Sequence, residues 1–270
     1  MPEENGNGNA AHPDVLDKSY HLMATMMASA SGTFSHARAV AGLLDSLGAA
    51  LGMDTVRLRL LRIAGYYHDI GKTVSPQLFT ENQADGHNPH KELEPWVSHL
   101  LIMAHVGHTA SILTNDDNIP REVVQWCSQH HGTSVMRYFL VKSGSENTDR
   151  FRYAATRPQS MEAALLMICD IIEAAARSKS QSGKLGAIDK FVDGVVDSLI
   201  KDTQLDDVIL RVGDLGIVRR VLKREMESMY HDRIDYDDAK KERDSKGEGR
   251  EGGEGGDTPK TEEEVDSQPE

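Results

Sequence analysis

Cysteine is nearly absent: Cys127 and Cys169 are the only two in 270 residues. That is too few for a disulfide framework, and with 11 methionines it suits a reducing compartment. Aromatic residues make up 5%. Long apolar runs are missing as well. The longest patch, AALLMICDIIEAAA at 163–176, is broken by Asp170 and Glu173 and falls short of the roughly 18 uninterrupted apolar residues of a membrane span. The opening MPEENGNGNAAHP has neither a basic start nor an apolar core, so no secretory signal is expected. The expected location is the cytoplasm, with no membrane contact by this chain itself.

Basic charge is also scarce. The formal net charge is −13, but residues 232–270 hold 15 acids and 7 bases, leaving 28 acids and 23 bases elsewhere. The body is therefore only mildly acidic. Duplex DNA is not an expected partner, because affinity there rests on clustered Lys and Arg. A small phosphate ligand, met by a metal and a few bases, stays open.

What is present is helical periodicity. SHARAVAGLLDSLGAALG (35–52) sets Ala37, Val40, Ala41, Leu44, Leu47 and Leu51 on one stripe. DTVRLRLLRIAGYYHD (54–69) opens on Asp54 as a candidate N-cap. Further helices are expected over 95–114, 120–131, 158–179, 184–201 and about 205–230, the first three led by proline. Alternating β-branched runs are lacking, so the fold class is all-α: a single helical bundle over 14–235. Residues 1–13 are Asn/Gly-rich and 236–270 acidic and Gly-rich, and both are expected to be disordered. Two long polar loops, 79–95 and 142–158, are candidates for function.

Twelve histidines need sorting, since any one alone is more often a surface or half-buried residue than a ligand. His36 lies in the expected first turn of a helix. His68-Asp69 closes the next helix, and adjacent side chains diverge there by about 100°. Gly71 suits a C′ position, so HDIG reads equally well as a helix stop. His105 sits on an apolar face, where a lone His is usually a satisfied core residue. His130-His131 ends another helix before Gly132. Asp170 is a carboxylate among apolar residues and needs a metal, a base or hydrogen-bond donors. His99 and His108 read as surface residues, and the two cysteines as small core residues. Five His and two Asp are too many for one ion of four to six ligands. They suit two ions sharing a carboxylate.

The order H…HD…H…HH…D resembles the HD-domain phosphohydrolase superfamily. The segments GTFSH, GYYHDIGK, PQLFTENQ, NPH, QHHGTS, FRYAATRPQSMEAALLMICDIIEAAARS and RIDY, spread over about 32–235, are similar to the cytoplasmic HD domain of PgpH-type phosphodiesterases. These are seven-transmembrane bacterial proteins that hydrolyse cyclic di-AMP. A chain of that family excised from its membrane part would be membrane-anchored in full length, at the cytoplasmic face.

The resemblance implies one metal held by His36, His68, Asp69 and Asp170, with Asp69 bridging to a second held by His105, His130 and His131. The family's ions are iron or manganese. It further implies a hydroxide that attacks phosphorus in line, opening cyclic di-AMP to linear pApA, with Asp69 and Lys72 catalytic. Lys72, Arg150, Arg152, Tyr153, Arg177, Asn82 and His90 are the candidate substrate contacts, with Gln83 beside them. Two departures stand out: Ser35 replaces the first of a usual His pair, and the spacer near Gly48 to Asp54 is longer. The rivals are an HD enzyme for cyclic di-GMP, a dNTP or ppGpp, and a non-catalytic HD nucleotide-binding module. GTSVMRYF after His131 lacks the GYP signature of cyclic-di-GMP enzymes.

Overall fold

The computed structural model describes residues 13–83, 87–183 and 185–247, the stretch from 231 onward by its backbone alone. Residues 1–12 and 248–270, where the sequence predicts disorder, lie outside the described residues. The chain divides into two units, Met1–Glu227 and Ser228–Glu270, and the bundle belongs to the first.

Nine α-helices occur among the described residues: α1 (His21–Ser29), α2 (Ser31–Ala50), α3 (Thr55–Tyr67), α4 (Pro95–Thr114), α5 (Arg121–Gln129), α6 (Arg137–Ser143), α7 (Met161–Gln181), α8 (Ile188–Lys201) and α9 (Val212–Gly247). The expected all-α class holds. Among these residues the only β feature is one isolated bridge, Val135 to Arg152, and no helix is long and apolar enough to cross a membrane.

The centre of the bundle is α7, which packs on α2, α3, α5 and α8. Every residue from Ala163 to Cys169 is buried. A helix that is apolar all round must be enclosed, and each of its large side chains stabilises by roughly 1.5–3 kcal/mol on burial. Ser160 stops it at its N-terminus by accepting from the Ala163 N–H at 3.2 Å, three residues later than Pro158 suggests. Asp54 caps α3 as expected, accepting from the Arg57 N–H at 2.9 Å. Both cysteines are buried, and burial pushes their thiols up, out of reach of ionisation.

Several expectations need correction. α1 and α6 were not expected. α2 begins at Ser31, which moves His36 from the first turn to the second. α9 starts at Val212 rather than about 205, and its backbone stays helical to Gly247 rather than about 230. His99 is not a surface residue. It is buried, stacked on Trp96 with centroids 5.1 Å apart and edge-on to Phe151.

Gly71 is also different from expectation. It lies inside a 3₁₀ turn, Ile70–Val74, without the positive φ of a left-handed cap. What it supplies is space. A Cβ there would lie 2.1 Å from the His105 carbonyl oxygen and 2.5 Å from the Thr109 nitrogen, so only glycine lets this turn rest directly on α4. Gly132 does take the left-handed conformation, φ +50, in the turn that follows α5 and its C-cap His130.

Candidate metal centre

Five helices deliver seven side chains to one point. His36 comes from α2, His105 from the middle of α4 and Asp170 from α7, while His68-Asp69 and His130-His131 follow the ends of α3 and α5. They form two groups whose ligand atoms lie within 4.8 Å of one another: His36, His68, Asp69 and Asp170 in one, Asp69, His105, His130 and His131 in the other. Asp69 belongs to both. These are the seven residues the sequence singles out, and all but His131 are fully buried.

The hydrogen bonds decide which atoms face inward. His68 Nδ1 bonds the Gly65 carbonyl at 2.9 Å, His105 Nδ1 that of Ile102 at 2.6 Å, and His130 Nδ1 that of Cys127 at 2.5 Å. A carbonyl only accepts, so each Nδ1 carries the proton and each Nε2 presents a lone pair. His36 does the same with a carboxylate, since its Nδ1 bonds Glu173.

Asp69 Oδ1, His105 Nε2 and His130 Nε2 are all buried without a hydrogen-bond partner. They face one another at 3.2 Å and 3.6 Å. Three acceptors meeting with no donor between them repel unless a cation lies among them. On the other side His36 Nε2 lies 3.0 Å from Asp170 Oδ1 and 3.3 Å from His68 Nε2. The residues present therefore fit two clustered metal sites sharing a carboxylate, and imidazole with carboxylate suits divalent transition metals.

Electrostatics agree. Burial alone favours the neutral carboxyl, but Lys72 and His68 hold Asp69 well below the usual carboxylate range. Asp170, buried as deeply, is likewise held well below the usual carboxylate range by its neighbours His36, His68 and His131. Burial lowers His130, and burial with its neighbour's charge lowers His131 further, keeping both neutral and ligand-competent. Against burial, the charge of Asp69 pushes His68 up to about 10, so metal uptake on that side competes with protons.

Supporting residues appear that the sequence left unmarked. Thr109 accepts from the Gly71 N–H at 2.9 Å and donates to the His68 carbonyl at 3.1 Å, pinning the HDIG turn to α4. Glu81 shares Lys72 with Asp69, at 2.8 Å and 2.7 Å from its Nζ. Glu173 meets His36 as well as Arg177, the latter at 3.4 Å. A carboxylate on the far nitrogen of a metal-ligating His orients the ring and raises its basicity. Glu173→Gln is expected to weaken one metal site about 10- to 100-fold in a chelator-competition titration. An unchanged affinity would remove Glu173 from the centre.

The centre opens into a cleft of about 760 Å³ lined by Lys72, Glu81, Arg137, Tyr153 and Arg177 among others. Of the candidate substrate contacts, Lys72, Tyr153 and Arg177 stand on its wall. Tyr153 stacks on His131 with centroids 4.2 Å apart. The others are not on this wall. Arg152 ties the 149–153 segment down, donating to the Thr133 carbonyl and pairing with Asp202. Arg150 lies over the Trp96 ring at 4.7 Å. Asn82 is bonded to Thr33, Gln83 to the Gln77 carbonyl, and His90 to the Leu78 carbonyl. Arg137 was missed because nothing near it in sequence marks it.

The HD-domain family model matches residues 33–175. The chain is 32% identical over 231 residues to the cyclic-di-AMP phosphodiesterase PgpH of Listeria monocytogenes serotype 1/2a (strain 10403S), covering 84% of this chain and 32% of that protein. It is 33% identical over 232 residues to the protein of the same name from Bacillus subtilis (strain 168), with the same coverage. The chain thus spans about a third of the length of these relatives. Crystal structures of the L. monocytogenes PgpH HD domain superpose with TM-scores of 0.70, and 0.71 for its complex with cyclic-di-AMP. Identity is 31% and 30%, over 78% and 79% of this chain and all of the other.

Proposed function

The chain belongs to the HD-domain family, and from that premise we propose that it is a metal-dependent phosphodiesterase opening cyclic di-AMP to linear pApA. The observation that carries this reading is the pair of ligand groups joined at Asp69 at the floor of a cleft large enough for a nucleotide. The relatives' names supply the substrate.

His36, His68, Asp69 and Asp170 would hold one ion, and Asp69, His105, His130 and His131 the other. Five imidazoles and two carboxylates disfavour magnesium, and iron or manganese is the proposed pair. Such ions polarise a phosphoryl oxygen and acidify a water at neutral pH. The chain's own residues do the rest. Lys72 fixes Asp69 and keeps it ionised. Two of its three N–H donors go to Asp69 and Glu81, leaving one for a phosphate oxygen in the cleft it lines. Tyr153 offers an aromatic face beside the centre, and Arg137 and Arg177 offer positive charge at its wall.

The reading is tested by incubating Fe(II)- or Mn(II)-loaded protein with cyclic di-AMP, cyclic di-GMP, dGTP and ppGpp and separating the products. The expected product is pApA from cyclic di-AMP. Preference for another of the four would overturn the substrate, and hydrolysis of none would overturn the enzyme.

A further inference from the structure

α4 contains no Asp, Glu, Lys or Arg in its 20 residues. A helix without a charged face is normally enclosed, as α7 is. α4 is enclosed on one side only, where it meets the Ile70–Val74 turn, α5 and α6. Along the other side Val97, Leu100, Leu101, Ala104, Gly107 and Ser111 are all exposed. Steps of three and four residues place them on one stripe. Val97, Leu100 and Leu101 keep 41%, 40% and 37% of their surface in solvent, so this stripe has apolar area still to bury.

Size is distributed along the stripe in a particular way. Leu101, Leu100 and Val97 stand three, four and seven positions before Ala104, and Gly107, His108 and Ser111 stand three, four and seven positions after it. Reversing the helix about Ala104 therefore lays three bulky side chains over the half that carries Gly107 and Ser111. The flanks match in the same operation. Lys91 lies thirteen positions before Ala104 and Asp117 thirteen after. Both are exposed, and neither is in an ion pair among the described residues. The stripe itself has no lysine or arginine with which to hold an anionic membrane or a nucleic acid.

We infer that this face of α4 is a two-fold interface with a second copy of the chain, the two helices antiparallel and crossing at Ala104. A patch that is its own complement under reversal is what an isologous contact requires. A helix of 20 residues offers a strip about 30 Å long and 10–12 Å wide. That is less than the roughly 800 Å² per partner of a stable complex, so the dimer is a weak one, with a Kd of about 10–100 μM. The interface is independent of the chemistry proposed above.

Sedimentation of the full chain reads the mass. The wild type should pass from monomer at about 5 μM to mostly dimer at about 500 μM. Ala104→Arg, which sets two like charges at the axis, should stay monomeric throughout. Lys91→Asp or Asp117→Lys alone should weaken the dimer about 3- to 10-fold at low salt, and the two together should restore it. Cross-linking reads the register. Cys127 and Cys169 are both buried, so a cysteine placed on the stripe is the exposed thiol. Mild oxidation should join Ala104→Cys chains to one another. It should leave Ser111→Cys chains single, because their two thiols are separated by 14 helical positions, about 21 Å. A wild type still monomeric at about 500 μM would overturn the inference, and one that instead bound neutral lipid vesicles would give the face to a membrane. A dimer in which Ala104→Cys does not link, or Ser111→Cys links as readily, would overturn it as well.

Discussion

An Asp69→Ala chain is expected to keep at most one metal per chain and to lose turnover of cyclic di-AMP by about 10³-fold or more. Removing one donor to a transition-state charge already lowers rates by roughly 10²- to 10³-fold. Asp69 does more than donate one contact. One oxygen faces His105 and His130 and the other faces His36, His68 and Lys72. Without the carboxylate, the two groups of imidazoles have no common anion, and Lys72 keeps only Glu81 as a counter-charge. Elemental analysis after desalting reads the metals, and a product chromatogram reads the turnover. Two ions per chain in this variant would refute the shared role of Asp69. Asp69→Asn offers a check against simple loss of packing, since it keeps the volume and removes the charge.

Stripping divalent metal with a chelator at pH 7 should lower the melting temperature by about 8–16 °C, restored by Mn(II) or Fe(II). An ion present at a thousand times its Kd stabilises by about 4.1 kcal/mol. For a domain of this size each kcal/mol moves the transition by roughly 2–4 °C. The physical source is the cluster of buried acceptors: Asp69 Oδ1 and the Nε2 atoms of His105 and His130 have no donor of their own. An unchanged melting curve, with no metal detected before or after, would show that the seven side chains hold no ion.

Much of this site was legible because its residues are misplaced by ordinary rules. His105 on an apolar face and Asp170 in an apolar helix are costly unless something answers them. Two His at a helix end before a glycine ask for a reason. The supporting residues carry weaker marks or none. Thr109 is an unremarked threonine one turn past His105 in sequence, Glu81 resembles any surface acid until the fold brings it to Lys72, and Glu173, which interrupts the same apolar patch as Asp170, meets its partner His36 only in the folded chain. α1 was missed because HLMATMMAS has no apolar stripe separate from a polar one. α6 was missed because seven residues between turns give too short a pattern to show a period. His99 was misjudged because its companions, Trp96 and Phe151, come together only in the folded chain.

The Nδ1 contacts of His68 and His130 have a consequence for helix endings. The last carbonyls of any helix have no amide to accept from. Gly65 and Cys127 own such carbonyls, two residues from the ends of α3 and α5, and the imidazoles bond to them. The residue that stops each helix is therefore also the one that points into the centre, and its ring is oriented by its own backbone. Moving this centre along the bundle in a redesigned protein would require moving the helix ends with it.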